Sequence, residues 1–140
     1  MLENKIIRIA NGQGFWGDSP QAPLDLVADG NIDYLTMDYL AEVTMSIMQK
    51  QKNKNPSLGY AKDFIDFLEK SLIDINQKKI KIVTNAGGVN PEECRKKILK
   101  LAKKLGIDIK VGIIIGDDIY KDIDKFIEKG TSFNNLDSLQ

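Results

Sequence analysis

The sequence predicts an α/β fold: a mostly parallel sheet of about four strands with helices on both faces. Two observations carry that expectation. Four short β-branched runs alternate with segments whose apolar residues recur at helical spacing. Each run also ends in Gly, Asn or Asp, the residues that turn a chain out of a strand and into a following helix. Half of a (β/α) barrel has the same rhythm, and four units do not separate the two architectures.

The first strand is KIIRIA, residues 5–10, stopped by Asn11-Gly12. Asp18 or Ser19 then offers an N-cap with Pro20 at the first helical position, and Leu24, Val27 and Ala28 form a stripe that Gly30 ends. A second strand, DYLTMDY at 33–39, precedes a helix marked by Leu40, Val43, Thr44, Ile47 and Met48. QKQKNKNPS is expected to be a solvated loop, followed by a longer helix with Tyr60, Phe64, Phe67, Leu68 and Leu72 on one side. The third strand is KIKIVTN, 79–85. Asn90 can cap the next helix, with Pro91 at its first position, Glu92 and Glu93 in its first turn and Gly106 at its end. IKVGIII, 109–115, reads as a fourth strand, and Gly116-Asp117-Asp118 leads to a helix with Ile119, Ile123, Phe126 and Ile127 inward.

At 140 residues the chain is expected to form one domain over residues 1–130 with a polar tail at 131–140. Twenty basic and twenty acidic residues balance, which gives no global field toward nucleic acid or an anionic membrane. No apolar run reaches membrane-helix length and no signal segment opens the chain, so a cytoplasmic location is expected. There is no histidine. That removes Ser-His-Asp and Cys-His catalysis, histidine-ligated zinc and any imidazole base. Cys94, the single cysteine, lies on the stripe Ile98, Leu101, Ala102 and Leu105 and is expected in the core. The lysines and Arg95 around that helix read as a solvated surface.

Ligands of open parallel sheets bind beyond the carboxyl ends of the strands, which directs attention to four loops. The first holds Asn11, Gly12, Gly14, Phe15, Trp16, Gly17 and Asp18. Gly12, Gly14 and Gly17 match GxGxxG, with Asp38 near the place of a ribose-binding acid. In a dinucleotide site, however, the helix begins inside the glycine run, and here Phe15, Trp16, Pro20 and Pro23 intervene. The loop reads either as a substrate loop whose amides receive a phosphate or carboxylate, or as turn chemistry with Trp16 lidding the core. Asn85, Gly87, Gly88 and Asn90 form a second such turn ahead of a helix N-terminus. Asp38 and Glu42, four residues apart at a strand-to-helix junction, suit acid/base work or Mg²⁺, and equally suit capping and dipole complementation. Asp117 and Asp118 belong to the binding set by position, with capping of the last helix as their plain reading.

Four segments in register carry a family resemblance: IRIANGQGFWGDS, DYLTMDYLAEVTM, KIKIVTNAGGVNPEEC and VGIIIGDDI. In this order and spacing the chain resembles the N-terminal part of the acyclic terpene utilisation family, the AtuA family. Gly12, Gly14, Gly17, Asp18, Asp38, Glu42, Asn85, Gly87, Asn90, Pro91, Asp117 and Asp118 fall on the family's pattern. The resemblance implies a metabolic protein of acyclic terpenoid catabolism, a pathway that proceeds through CoA thioesters. Because members are usually several times longer, it also implies a fragment, a split subunit or a shortened member.

The functional expectation is therefore a metabolic enzyme domain that binds a carboxylate or acyl-CoA, with Asp38 or Glu42 as acid/base and hydratase or lyase chemistry. A nucleotide-binding domain is one alternative. A non-catalytic subunit completed by a second chain, or a homo-oligomer, is the other. Neither nucleic acid nor membrane is an expected partner, and the sequence names no metal and no cofactor.

Overall fold

The computed structural model describes residues 6–134 together with 137 and 138. Lys5 of the expected first strand, and residues 135, 136, 139 and 140 of the expected tail, lie outside the described residues. The elements are β1 (Ile9–Gln13), α1 (Ala22–Asp29), β2 (Tyr34–Met37), α2 (Glu42–Lys54), α3 (Lys62–Lys78), β3 (Lys81–Thr84), α4 (Pro91–Lys104), a 3-10 turn (Tyr120–Asp122) and α5 (Ile123–Glu128).

The three strands are parallel and stand in the order β1-β2-β3. Their register sets Ala10 and Ile82 beside Leu35, and Asn11 and Val83 beside Thr36. Because parallel neighbours share a face, one face carries Ala10, Gly12, Leu35, Met37, Ile82 and Thr84. Leu35 and Met37 are buried there in one core with Phe64, Phe67, Leu68, Leu72 and Ile75 of α3 and Cys94, Ile98 and Leu101 of α4. The opposite face carries Ile9, Asn11, Tyr34, Thr36, Lys81 and Val83, and among the described residues it is uncovered: Ile9 is 68% and Val83 60% exposed.

That geometry corrects the expectation of helices on both faces. Successive crossovers all step the same way along the sheet, and crossovers of one hand then place every helix on one side. A doubly wound sheet needs a reversal in strand order, which β1-β2-β3 does not have. Sequential strands with helices on one side are the arrangement found in a segment of a (β/α) barrel.

Three of the four expected strands pair in the sheet among the described residues. Residues 109–115 carry no ladder, and β3 is an edge of the sheet among the described residues. Ile109 and Val111 pack against the core, whereas Ile114 is 95% exposed. The apolar run is strand-like in composition, but strand pairing depends on a neighbour at the right distance, which composition does not specify.

Local details differ in instructive ways. β1 extends to Gln13, so Asn11 and Gly12 lie in the strand and do not stop it. The stretch read as a solvated loop continues α2 to Lys54: Gln, Lys and Asn on an exposed helix face are compatible with helix once Met48 is anchored in the core. Lys79 ends α3 in the left-handed conformation at φ 59°. Just before it, Lys78 Nζ donates to the Val27 and Ala28 carbonyls at 2.7 and 2.6 Å, placing a cation at the C-terminus of α1.

Candidate functional site

The carboxyl ends of the strands bring together three loops: Gly14–Ser19 after β1, Asp38–Ala41 after β2 and Asn85–Asn90 after β3. Asp38 leads the second. Its Oδ1 accepts the Asn85 side-chain N–H at 2.7 Å and the Leu40 backbone N–H at 3.1 Å. Asn85 Oδ1 in turn accepts the Tyr39 N–H at 2.8 Å, so one amide side chain clasps the β2 loop from both directions. The Asn85 bond, followed by the Leu40 bond, holds the Asp38 carboxyl below its ordinary range and the group stays ionised. Asp38 is exposed at the site mouth, while Tyr39 beside it is fully buried against Phe64.

Asp18 plays a similar part in the first loop. Its Oδ2 accepts the Gly14 N–H at 3.0 Å and its Oδ1 the Ser19 N–H at 2.7 Å. These bonds, Gly14 first, lower its pKa as well. Asp18 thus folds the glycine loop and does not cap α1, whose N-cap is Gln21. Trp16 ties the loop to the body: its indole N–H donates to Asp63 Oδ1 in the first turn of α3 at 2.8 Å. Phe15 points outward and is exposed.

The three glycines have separate reasons. A Cβ on Gly12 would meet Pro23 Cβ at 2.8 Å and Leu35 Cδ1 at 3.0 Å, so Gly12 is the seat of α1 on the sheet. Gly17 turns the loop at φ 100°, and Gly14 gives its N–H to Asp18. α1 does not begin until Ala22. Asn11 lies apart from the loop mouths, on the opposite sheet face, where its side-chain amide N–H donates to the Gln13 and Thr36 carbonyls at 3.0 Å and to Thr36 Oγ1 at 3.1 Å.

In the third loop, Gly88 has φ 54° and packs where a Cβ would meet Met48 Sδ at 2.3 Å and Gly59 O at 2.8 Å. Asn90 occupies the N-cap position of α4 but does not cap it with its side chain. Its amide donates to the Pro56 and Leu58 carbonyls at 2.8 and 2.7 Å, because Asn90 is buried and its N–H groups need acceptors. The first turn of α4 is therefore uncapped from Asn90. Glu42 is exposed at the start of α2. The N-cap work there is done by Thr44, whose Oγ1 accepts the Ala41 N–H at 2.6 Å. Asp118 accepts the Tyr120 N–H at 3.1 Å at the start of the 3-10 turn, whereas the N-cap position of the last helix is Asp122, so neither Asp117 nor Asp118 caps that helix.

A cleft of about 980 Å³ runs beside β3. Asn85, Gly87, Gly88, Pro91 and Asp117 line its polar end. Ile80–Thr84 and Asp108–Ile115 both line it, together with Leu68, Leu72 and Ile75 of α3 and Ile98 of α4. Cys94 lies within it, buried, its thiol pushed up to about 11 by desolvation and so kept protonated. Among the described residues no three His, Cys, Asp or Glu side chains converge as a metal cluster, and no helix is long and apolar enough to cross a membrane.

Three supporting residues were not legible as such. Gln13 is buried, donates to Phe15 O at 3.0 Å and gives its backbone carbonyl to the Asp38 N–H. Lys52 Nζ reaches Val89 O at 2.7 Å. Asp63 holds Trp16. Only the last had a signal in the sequence, since a half-buried indole N–H requires an acceptor.

The model of the acyclic terpene utilisation family protein AtuA matches residues 7–140. The chain belongs to the AtuA family. No curated protein and no solved structure matches it. The AtuA match covers every loop of the site, so Asp18, Asp38, Asn85 and Asp117 all lie within the family region.

Proposed function

We propose that this AtuA-family chain is a metabolic domain of acyclic terpenoid utilisation. It binds a carboxylate or acyl-CoA thioester beyond the ends of β2 and β3. The observation that carries the reading is the Asp38–Asn85 pair, an ionised carboxylate held in fixed orientation at the mouth of three converging loops. An acceptor already ionised well below neutral pH enters the reaction as a base. The substrate's anionic group is repelled by Asp18 and Asp38 and goes to the other side, toward the Gly87-Gly88 turn and the N-terminus of α4, which Asn90 leaves uncapped.

In a dehydration, Asp38 or Glu42 takes the proton α to the carbonyl and returns it to the hydroxyl that departs as water. Hydration runs the same transfers in reverse. Such proton transfers contribute roughly 10²–10⁴-fold each. The test is turnover and calorimetry with a panel of acyl-CoA thioesters and their free acids. Asp38→Asn keeps an acceptor for Asn85, so binding is retained while kcat falls by at least about 10²-fold. Unchanged turnover in Asp38→Asn and Glu42→Gln removes the mechanism.

The uncovered sheet face supports a second reading, in which the chain works as one subunit of an assembly. Ile9 and Val83 stand exposed on it, an arrangement a partner surface or a second copy covers. Light scattering of the chain alone and with the product of a neighbouring gene tests this: a monomer under both conditions counts against it.

A further inference from the structure

We infer that residues 110–115 close onto the free edge of β3 as a fourth parallel strand, with Ile82 beside Ile113 and Val83 beside Ile114, and that closure delivers Asp117 to the strand-end site. The inference concerns how the site is walled and extends beyond the binding reading above.

Two of the segments that line the cleft, Ile80–Thr84 and Asp108–Ile115, are strand-like in sequence. Lys81 N–H donates to Asp33 O on the β2 side. Backbone groups alternate along a strand, so Ile82 and Thr84 turn theirs toward the cleft, where no strand pairs with them among the described residues. An edge with free donors and acceptors is a template for another strand. Across the cleft, residues 108–115 run without a ladder of their own. Arg95 Nε holds the Val111 carbonyl at 3.0 Å, which keeps the segment beside α4 and hence beside β3.

The faces agree. Ile109 and Val111 already pack against the core. Alternation therefore assigns Ile113 and Ile115 to the helix-covered face and Lys110, Gly112 and Ile114 to the other. Two registers keep this assignment. One sets Lys110 directly beside Lys81, a like-charge pair that opposes pairing. The other moves the segment by two residues, sets Gly112 beside Lys81 and Ile114 beside Val83, and joins two exposed apolar side chains, 95% and 60% accessible. In that register Ile115 is level with Thr84 and Gly116 with Asn85. Asp117 then stands one residue beyond the sheet, next to the Asn85 turn.

The test uses the full chain carrying Val83→Cys with Ile114→Cys. Both positions are exposed, so neither change empties the core. Neighbouring strands lie about 4.8 Å apart, within the roughly 4.4–6.8 Å range of disulfide Cα separations. Under mild oxidation of the dilute protein, an intramolecular disulfide forms in several-fold higher yield than with Val83→Cys and Gly112→Cys. In the unsubstituted chain, the backbone amides of Ile114 and Gly116, which face β3 in this register, exchange more slowly than unstructured ones. A yield no higher than that of Val83→Cys with Ile127→Cys, a preference for the 83–112 link, or unprotected amides at Ile114 and Gly116 overturns the inference. No substrate enters this experiment, so its failure leaves the binding proposal standing.

Discussion

The Asn85 side chain donates to Asp38 Oδ1 at 2.7 Å and accepts the Tyr39 N–H at 2.8 Å, linking the ends of β2 and β3 by one amide. This pair couples the charge of the site to its shape. In Asn85→Ala the largest influence lowering the Asp38 pKa is removed, and the value moves up toward the ordinary 3.8. Carboxyl-detected NMR titration reads that shift directly.

Acid stability follows from the same sign. Asp18 and Asp38 both have folded pKa values below the unfolded 3.8. Their contributions are therefore fully present above the unfolded value and are lost as pH falls from there through the folded values. The Asp18→Asn and Asp38→Asn variants should lose less stability than the parent between pH 5 and pH 2 in urea unfolding. Identical pH profiles would contradict this.

Gly88→Ala should destabilise more than Gly106→Ala. Both glycines have positive φ, at 54° and 69°, a conformation that costs other residues about 1–3 kcal/mol when strained. A Cβ at Gly106 meets nothing within 4 Å, whereas at Gly88 it collides with Met48 Sδ and the Gly59 carbonyl. Melting temperatures of the two variants check the ordering.

Gly12→Ala should cost about 1–3 kcal/mol by overpacking, because Pro23 and Leu35 stand where the methyl would go. The loss appears in unfolding without any ligand. It separates the role of Gly12 in seating α1 from a direct role in binding, which would leave the melting temperature unchanged.

Trp16→Phe keeps the ring against the core but removes the donor to Asp63, a loss of about 0.5–1.5 kcal/mol. Faster amide exchange confined to the Gly14–Asp18 loop is the expected signature. Global destabilisation without local change would assign Trp16 to packing alone.

Much of this protein is determined by sequence alone. Local chemistry placed three of the strands and the helices: the Asn90-Pro91 start of α4, the apolar stripe of α3 and the glycine-rich turns are decided by nearest neighbours. Motif order alone indicated the AtuA family, because four spaced segments are a one-dimensional signal. The tertiary structure decided the rest. It alone put α1, α3 and α4 on one side of the sheet, since the face a crossover occupies depends on strand order, which no single segment encodes. It reassigned Asn90 from capping to satisfying the Pro56 and Leu58 carbonyls, and Asp18 from capping to folding its own loop, because hydrogen-bond partners are chosen by three-dimensional proximity. It also left 109–115 without a ladder among the described residues despite its strand-like isoleucines, since pairing depends on the distance to a neighbouring edge, which composition does not specify.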